Sequence, residues 1–169
     1  MARRRFFVSH IRDGVAELRG EDARHLVQVL RAEPGQQYEI SDNQHAYLAE
    51  IAHAAKERVA FRALEKLPPR TPPVSIRLYA ALIKFDRFEW MLEKATELGV
   101  TEVVPVEAER SEKGLREAAG KRLERWRKIA RESSQQSRRD RMPDVHQLIR
   151  GLFVSAHGGP ICQENSQPS

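Results

Sequence analysis

The sequence predicts an α/β protein in which a small β-barrel is followed by a parallel α/β domain. Residues 67–73 (LPPRTPP) place four prolines in seven positions. Neither a helix nor a central strand tolerates this, so we expect a stiff linker over 68–73. Residues 1–67 contain several short strand patterns and one helical pattern, whereas residues 74–106 run strand, helix, strand. The predicted domains are therefore 1–67 and 74–150.

The first domain is interpreted as a barrel because short strands dominate it. Apolar residues at 23, 26, 27 and 30 have helical spacing, which predicts a helix over 21–30 that ends before Pro34-Gly35. Asp13-Gly14 is typical of a turn between the first two strands. The alternating patterns predict strands at 5–8, 14–18, 38–40, 46–51 and 58–64.

The second domain opens with a predicted βαβ unit, in which a strand over 74–83 and a strand over 100–106 flank a helix over 86–98. Such strands should be parallel, with a right-handed crossover. Asp86 and Glu89 fit a capping box at the start of the helix, and Gly99 fits its end. A long amphipathic helix is expected over roughly 115–135.

Composition excludes several classes of protein. The chain has 169 residues, 40% hydrophobic and 31% charged, which is ordinary for a folded globular protein. Its longest apolar stretches, such as residues 78–83, fall far short of the ~20 residues of a membrane span, so a cytoplasmic location is expected. The single cysteine, Cys162, excludes an internal disulfide, and no histidine pair has metal-ligand spacing, so no metal is expected.

The positive charge is concentrated in two segments. Arginine supplies 22 of the 29 basic residues, and its planar guanidinium pairs well with phosphate. Residues 1–31 carry a net charge of +3 and residues 121–141 a net +6, so the remainder sums to −4. Two basic clusters indicate a polyanionic partner, RNA or DNA. The alternative is that both clusters are solvated helix faces.

Candidate site residues follow the predicted strands and the long helix, because ligands of open parallel sheets bind beyond the carboxyl ends of the strands. No phosphate-binding GxxxxGK[ST], GxGxxG or GxSxG motif is present. Asp86 is interpreted as a helix cap. The candidates are Lys84 and Arg87 after the first strand, Arg110 and Ser111 after the second, and the segment 135–141 (QQSRRDR) after the helix.

Residues 81–100 (ALIKFDRFEWMLEKATELGV) resemble the ribosomal RNA small subunit methyltransferase E family. Further segments agree with the family in order and spacing over about residues 3–145. These are Arg5–Val8 (RFFV), His25–Arg31 (HLVQVLR), Pro105 with Arg110-Ser111, Arg125–Ala130 (RWRKIA), and Gln136–Arg139 (QSRR) ahead of Pro143.

The resemblance implies a PUA-like RNA-binding barrel, a SPOUT methyltransferase domain, and a homodimer. It implies methylation of a uridine at N3 in small-subunit (16S) rRNA with S-adenosylmethionine as the methyl donor. Arg110 and Arg139 would then act as catalytic residues that hold the uridine or its phosphate. The residues expected to bind the RNA substrate are Arg3, Arg4, Arg5, His25, Arg31, Lys84, Arg87, Ser111, Gln136, Ser137 and Arg138.

The chain departs from the family pattern after about residue 143. The Gly-Pro-Glu-Gly-Gly turn and the later motifs that surround the cofactor are missing, and 157–160 (HGGP) does not replace them. We therefore expect a truncated member whose methyltransferase domain lacks the knot, whose cofactor-binding residues are unknown, and whose residues 151–169 form an unstructured tail. The alternative function is a catalytically inactive RNA-binding fragment without a methyl-donor site.

Overall fold

The computed structural model describes residues 4–69, 74–108 and 114–150, together with the backbone of 153–154 and 160–161. The chain divides into two compact units, Met1–Thr71 with Ser134–Arg141, and Pro72–Ser133 with Met142–Ser169. The first boundary falls in the proline-rich segment. The structure differs from the predicted partition at 134–141, which was assigned to the second domain but packs with the first.

The first unit is built on one mixed sheet of six strands in the order β1-β4-β5-β6-β3-β2. Only β1 and β4 are parallel neighbours, and all the other pairs are antiparallel. Among the described residues no pairing joins β1 to β2, so the sheet is a half-barrel. Its strands are β1 Arg5–Phe7, β2 Ile11–Arg12, β3 Val15–Arg19, β4 Gln37–Ser41, β5 Ala46–Ala55 and β6 Arg58–Lys66.

Two local features of the first unit differ from the prediction. The turn at Asp13-Gly14 is present, with positive φ at both residues, but it joins β3 to the short strand β2 rather than to β1. The predicted helix forms as α1, Glu21–Arg24, and then widens into a π-helical turn over His25–Val29. In that turn the Leu30 amide donates to the carbonyl of His25, 3.2 Å away.

The core of the first unit lies between the sheet and the helical segment. Side chains that alternate along the strands point inward, which is the period expected of a half-buried sheet. They meet Leu26, which is fully buried. The buried cluster includes Phe6, Leu18, Ile40, Ile51, Val59 and Phe61.

The second unit confirms the predicted βαβ arrangement. Its first elements are β7 Arg77–Ala81, α2 Phe85–Glu97 and β8 Glu102–Glu107, and β7 and β8 are parallel. The long helix, α3, spans Leu115–Gln136. Two strands that the sequence analysis missed, β9 Asp144–Val145 and β10 Ile149–Arg150, pair in parallel with successive parts of β8. A strand of two residues is too short to show an alternation of apolar and polar residues, so the sequence analysis did not predict β9 and β10.

The start of α2 corrects the predicted capping box. The helix begins at Phe85 after Lys84, and no side chain caps it. Glu89 points instead toward α3, where Arg122 and Arg125 both donate to its carboxylate. Gly99 follows the helix with φ of +102°, so the predicted glycine at its end is confirmed.

Aromatic rings join α2 to α3 in the core of the second unit. The Trp126 ring centroid lies 4.6 Å from that of Phe88 and 6.1 Å from that of Phe85. Arg122 stacks over the outer ring, with its guanidinium carbon 4.6 Å from the Phe85 centroid. Among the residues that the structure describes, Trp126 is the largest fully buried side chain.

The sequence analysis predicted an unstructured tail over 151–169. Most of these residues lie outside the described part of the chain, but the prediction is wrong where one strand pair forms. Phe153–Val154 and Pro160–Ile161 pair antiparallel there, in agreement with the strand propensity of Phe, Val and Ile. In the described part of the chain, no helix is both long and apolar enough to cross a membrane.

Replacing Trp126 by alanine should destabilise the second unit by about 3–5 kcal/mol, because the substitution opens a cavity between the two helices. Urea unfolding followed by far-UV circular dichroism measures this change. Trp90→Ala is the matched control, since Trp90 is on α2 but 65% exposed, and it should change stability by less than about 0.5 kcal/mol. Equal losses in the two variants would contradict this core assignment.

Candidate nucleic-acid interface

The end of α3 places a cluster of polar side chains at the surface of the first unit. The Arg139 amide donates to the Ser134 carbonyl at 2.9 Å, and the Arg138 amide donates to the Gln135 carbonyl at 3.3 Å. These two bonds form a Schellman motif, in which the residue with left-handed backbone is usually glycine. Here that residue is Arg138, with φ of +55°. Gln136 and Ser137 are exposed beside this turn.

Arg5 does not belong to the exposed cluster. Its side chain is 2% exposed. It donates to Glu39 at 2.8 and 3.1 Å, to the Arg138 carbonyl at 3.0 Å, and to the Asp140 carboxylate. The RNA contact predicted for Arg5 is therefore wrong, because its donors are enclosed and directed at protein acceptors.

Arg138 also turns inward in part, since its Nη2 donates to Glu39. This ion pair balances much of the charge on which its predicted RNA contact depended. Arg139 is half-buried, and burial lowers the pKa of its guanidinium. A guanidinium is not deprotonated in proteins, so Arg139 remains a cation at neutral pH. Partial exclusion of water strengthens any hydrogen bond it makes to an anion.

Two more of the residues predicted to bind RNA, Arg4 just before β1 and His25 in the helical segment, lie near the end of α3. Arg4 and His25 are exposed, and Arg4 Nη1 donates to His25 Nε2 at 2.8 Å. Because arginine has no acceptor, Nε2 accepts and the ring proton lies on Nδ1. One turn earlier, Asp22 accepts from Gln135 at 3.4 Å. The helical segment thus contacts both Arg4 and the end of α3, and Arg31 follows it, exposed, with φ of +51°.

Most other arginines on the half-barrel are paired with carboxylates. Glu17 accepts from Arg19 at 2.7 Å and also from Arg58. Glu50 accepts from Arg62 at 3.0 Å. These pairs reduce the positive charge of the sheet surface, whereas Arg4 and Arg31 lie exposed near the helical segment.

In the second unit, Lys84 and Arg87 lie exposed just beyond the carboxyl end of β7. The neighbouring strand β8 ends at Glu107, whose carboxylate contacts Arg116 at 3.7 Å and Arg150 at 3.4 Å. The carboxyl edge of the parallel sheet is therefore cationic. Arg3, Arg110 and Ser111, which were also predicted to bind the substrate, lie outside the described residues.

The arginine-rich helix contributes less free charge than its sequence indicates. Arg122 and Arg125 lie 3.0 and 2.8 Å from Glu89, and Arg127 lies 2.7 Å from Glu124. Hydrogen bonds from Arg125, the larger cause, and from Arg122 hold the pKa of Glu89 below its ordinary value. Arg122 and Arg125 thus serve the packing of α3 against α2 in the second unit.

Two family models match the chain, one for each unit. A model of the RNA methyltransferase PUA domain matches residues 18–64, and a model of the RNA methyltransferase domain matches residues 70–152. The ribosomal RNA small subunit methyltransferase E of Bacillus subtilis is 33% identical over 154 residues, which cover 84% of this chain and 60% of that relative. The enzyme of the same name from Mycobacterium tuberculosis is 33% identical over 151 residues, 85% of this chain and 56% of the relative.

The chain belongs to the ribosomal RNA small subunit methyltransferase E family. A solved member from Neisseria gonorrhoeae, described as bound to S-adenosyl methionine, matches with a TM-score of 0.76 at 29% identity, over 88% of this chain and 62% of that one. The predicted fold class, a PUA-like domain followed by a SPOUT-type methyltransferase domain, is confirmed. The chain spans about 60% of the length of the curated relatives it matches.

Sequence reasoning named Asp140 only as part of the candidate segment 135–141, and it missed Glu39 and Ser41, which lie within β4. None of the three was singled out as a residue that holds the candidate interface together. Their signal was an arginine in an otherwise apolar strand, RFFV, opposite a glutamate in another, YEI. Within the described residues, no group of three or more His, Cys, Asp or Glu side chains could hold a metal ion.

The stability difference between the wild-type chain and Glu89→Gln should narrow as the pH falls below about 4.3, the ordinary pKa of glutamate. The pKa of Glu89 is lowered in the fold, so its ion pairs stabilise the protein above that pH, and this contribution disappears as the pH falls through the lowered pKa. Urea midpoints measured between pH 7 and pH 3 test this. Glu124→Gln, whose carboxylate is 83% exposed, is the control and should show no such narrowing.

Proposed function

We propose that the chain binds small-subunit ribosomal RNA and serves in its methylation. The observation that carries this proposal is the surface cluster at the end of α3 in the PUA-type unit, where Gln136 and Ser137 are exposed and Arg139 stays charged in a half-buried position. Charged and neutral donors beside each other can contact phosphate and base edges together. Relatives named for small-subunit rRNA methylation support the choice of RNA.

The finer proposal is transfer of a methyl group to N3 of a uridine. Uracil must lose its N3 proton before that nitrogen can form a bond to carbon, and the ring then carries negative charge. A cation that is partly shielded from water stabilises such charge better than a fully hydrated one. Arg139 has this character, and we propose that it holds the uridine or its phosphate, with Gln136 and Ser137 beside it. Arg110 is proposed for the same role on its family position alone.

We propose S-adenosylmethionine as the methyl donor of the family reaction, because a solved relative is described as bound to it. The donor supplies a methyl group on a sulfonium, which is a cation. At the cationic edge of the parallel sheet, Lys84 or Arg87 could bind the donor's carboxylate. Glu107, at the same edge, contacts Arg116 and Arg150, and Asp86 lies exposed beside Arg87 in sequence. These side chains do not make up a site for the whole donor, and we assign none of them to it.

A second function, RNA binding without catalysis, is favoured by the lack of a complete donor site among the described side chains. Titration calorimetry with S-adenosylmethionine separates the two functions. Saturable binding by this chain supports the methyltransferase, and absence of heat supports the binding module. Homodimerisation, also implied by the family, stays a prediction that sedimentation would test.

The wild-type chain should bind a small-subunit rRNA transcript with an affinity that falls steeply as salt increases, since phosphate contacts release counterions. Arg139→Ala should weaken binding about tenfold and lower the magnitude of the salt slope by about 1. Filter binding over a salt series measures both quantities.

The matched control is Arg19→Ala, which removes an arginine of the same unit that lies on β3 and not in the turn at residues 137–139. This variant should keep the wild-type slope and nearly the wild-type affinity. A wild-type chain with no salt-dependent binding would overturn the proposed function, and an unchanged slope in Arg139→Ala would remove Arg139 from the interface.

A further inference from the structure

The buried Arg5 guanidinium makes hydrogen bonds to three other residues of the first unit. Guanidinium has five N–H donors. Four hydrogen bonds leave Arg5: two reach Glu39, one reaches the Arg138 carbonyl, and one reaches Asp140. Two of these partners lie more than 130 positions away in sequence. Arg5 thus joins the first strand of the chain to the segment after α3.

The pairing of β1 with β4 creates the surface on which that segment rests. Arg5 pairs with Glu39, and Phe7 pairs with Ser41, on neighbouring parallel strands. Side chains alternate along a strand, so Phe6 and Ile40 face the half-barrel core while Arg5 and Glu39 face the other way. Ser41 adds a bond from its Oγ to the Asp140 carbonyl at 2.7 Å.

The charges on this surface balance. Arg5 and Arg138 are the two cations, and Glu39 and Asp140 are the two anions that accept from them. A buried ion pair adds little net stability compared with apolar packing, because desolvation opposes the attraction between the charges. Such a network does favour one arrangement of its partners over others, since any displacement leaves a buried charge without a partner.

The arrangement that it favours is the turn carrying the proposed RNA contacts. Arg138 has left-handed backbone, which is unfavourable for a residue with a side chain. Its carbonyl accepts from Arg5, and its guanidinium donates to Glu39. The residues on either side, Ser137 and Arg139, are held in place by the same bonds.

We propose that Arg5 is a positioning residue for RNA recognition: with Glu39 and Asp140 it holds residues 138–141 against β1 and β4, so that Gln136, Ser137 and Arg139 present one fixed surface to RNA. This inference rests on the proposed function. Arg5 itself contacts no RNA. Its effect reaches the RNA only through the turn that it fixes.

The direction in which one substitution changes the RNA affinity tests this proposal. Asp140→Ala removes a negative charge, which by long-range electrostatics alone should strengthen RNA binding. Positioning predicts the opposite, because the turn loses its contact with Arg5. We expect RNA binding about five- to tenfold weaker, with amide exchange of residues 138–141 at least about tenfold faster, while exchange in β5 and β6 stays unchanged.

Glu17→Ala is the matched control. It also removes one carboxylate that pairs with arginines in the first unit, but Glu17 lies on β3 and contacts Arg19 and Arg58. This variant should bind RNA as tightly as the wild type or more tightly, with unchanged exchange at 138–141. Ser41→Ala deletes a single hydrogen bond to the turn. It should weaken RNA binding and speed amide exchange at 138–141, both by less than Asp140→Ala does. This variant replaces Asp140→Ala in the test if Asp140→Ala does not fold.

Faster exchange at 138–141 together with wild-type or tighter RNA binding, in Asp140→Ala or in Ser41→Ala, would overturn the positioning role. Unchanged exchange in both variants would overturn it as well, because the turn would then be held by other contacts. If the wild-type chain shows no salt-dependent RNA binding, the proposed function fails instead, and the exchange rates still show whether the network holds the turn.

Discussion

The arrangement of the first unit depends on where the charge of Arg5 is neutralised. Its side chain is 2% exposed, and an unpaired charge at such a position would be destabilising by several kcal/mol. Strand β4 supplies one anion, Glu39, and the segment after α3 supplies another, Asp140. The buried guanidinium therefore requires two distant parts of the chain to meet at β1. Residues 134–141, which pack with the first unit, include Asp140 and so supply this second anion.

Ion pairs with carboxylates also determine which arginines a polyanion could contact. In the second unit, Glu89 accepts from Arg122 and Arg125 and joins α3 to α2, next to the stacked rings of Phe88 and Trp126. On the half-barrel, Glu17 and Glu50 occupy three further arginines. The net charge of +5 is therefore a poor measure of RNA affinity. The charge that a polyanion meets depends on which arginines are exposed, and Arg4 and Arg31 are exposed near the helical segment of the first unit.

The sequence predicted those features that depend on neighbours in the chain. The βαβ unit follows from hydrophobic periodicity and from Gly99, and the half-barrel strands follow from alternation. Features that depend on distant partners were not predictable in this way. Glu89 fits a capping box locally, yet two arginines more than 30 positions away determine its contacts. Arg5 matched an RNA-binding pattern by type and position, and only the β1 and β4 register reveals that Glu39 lies opposite.

Arg138 combines an unfavourable backbone conformation with a side-chain contact that fixes the position of the turn. A glycine at this point of a Schellman motif would adopt φ of +55° without the penalty of about 1–2 kcal/mol that an arginine incurs. Glycine would have no side chain to reach Glu39, however, and the turn would retain only its backbone bonds and the Asp140 contacts. Arginine makes the turn less favourable locally but ties it to the strand pair at a second point. A segment with two attachments has fewer alternative positions, so less conformational entropy would be lost in the RNA binding proposed for it.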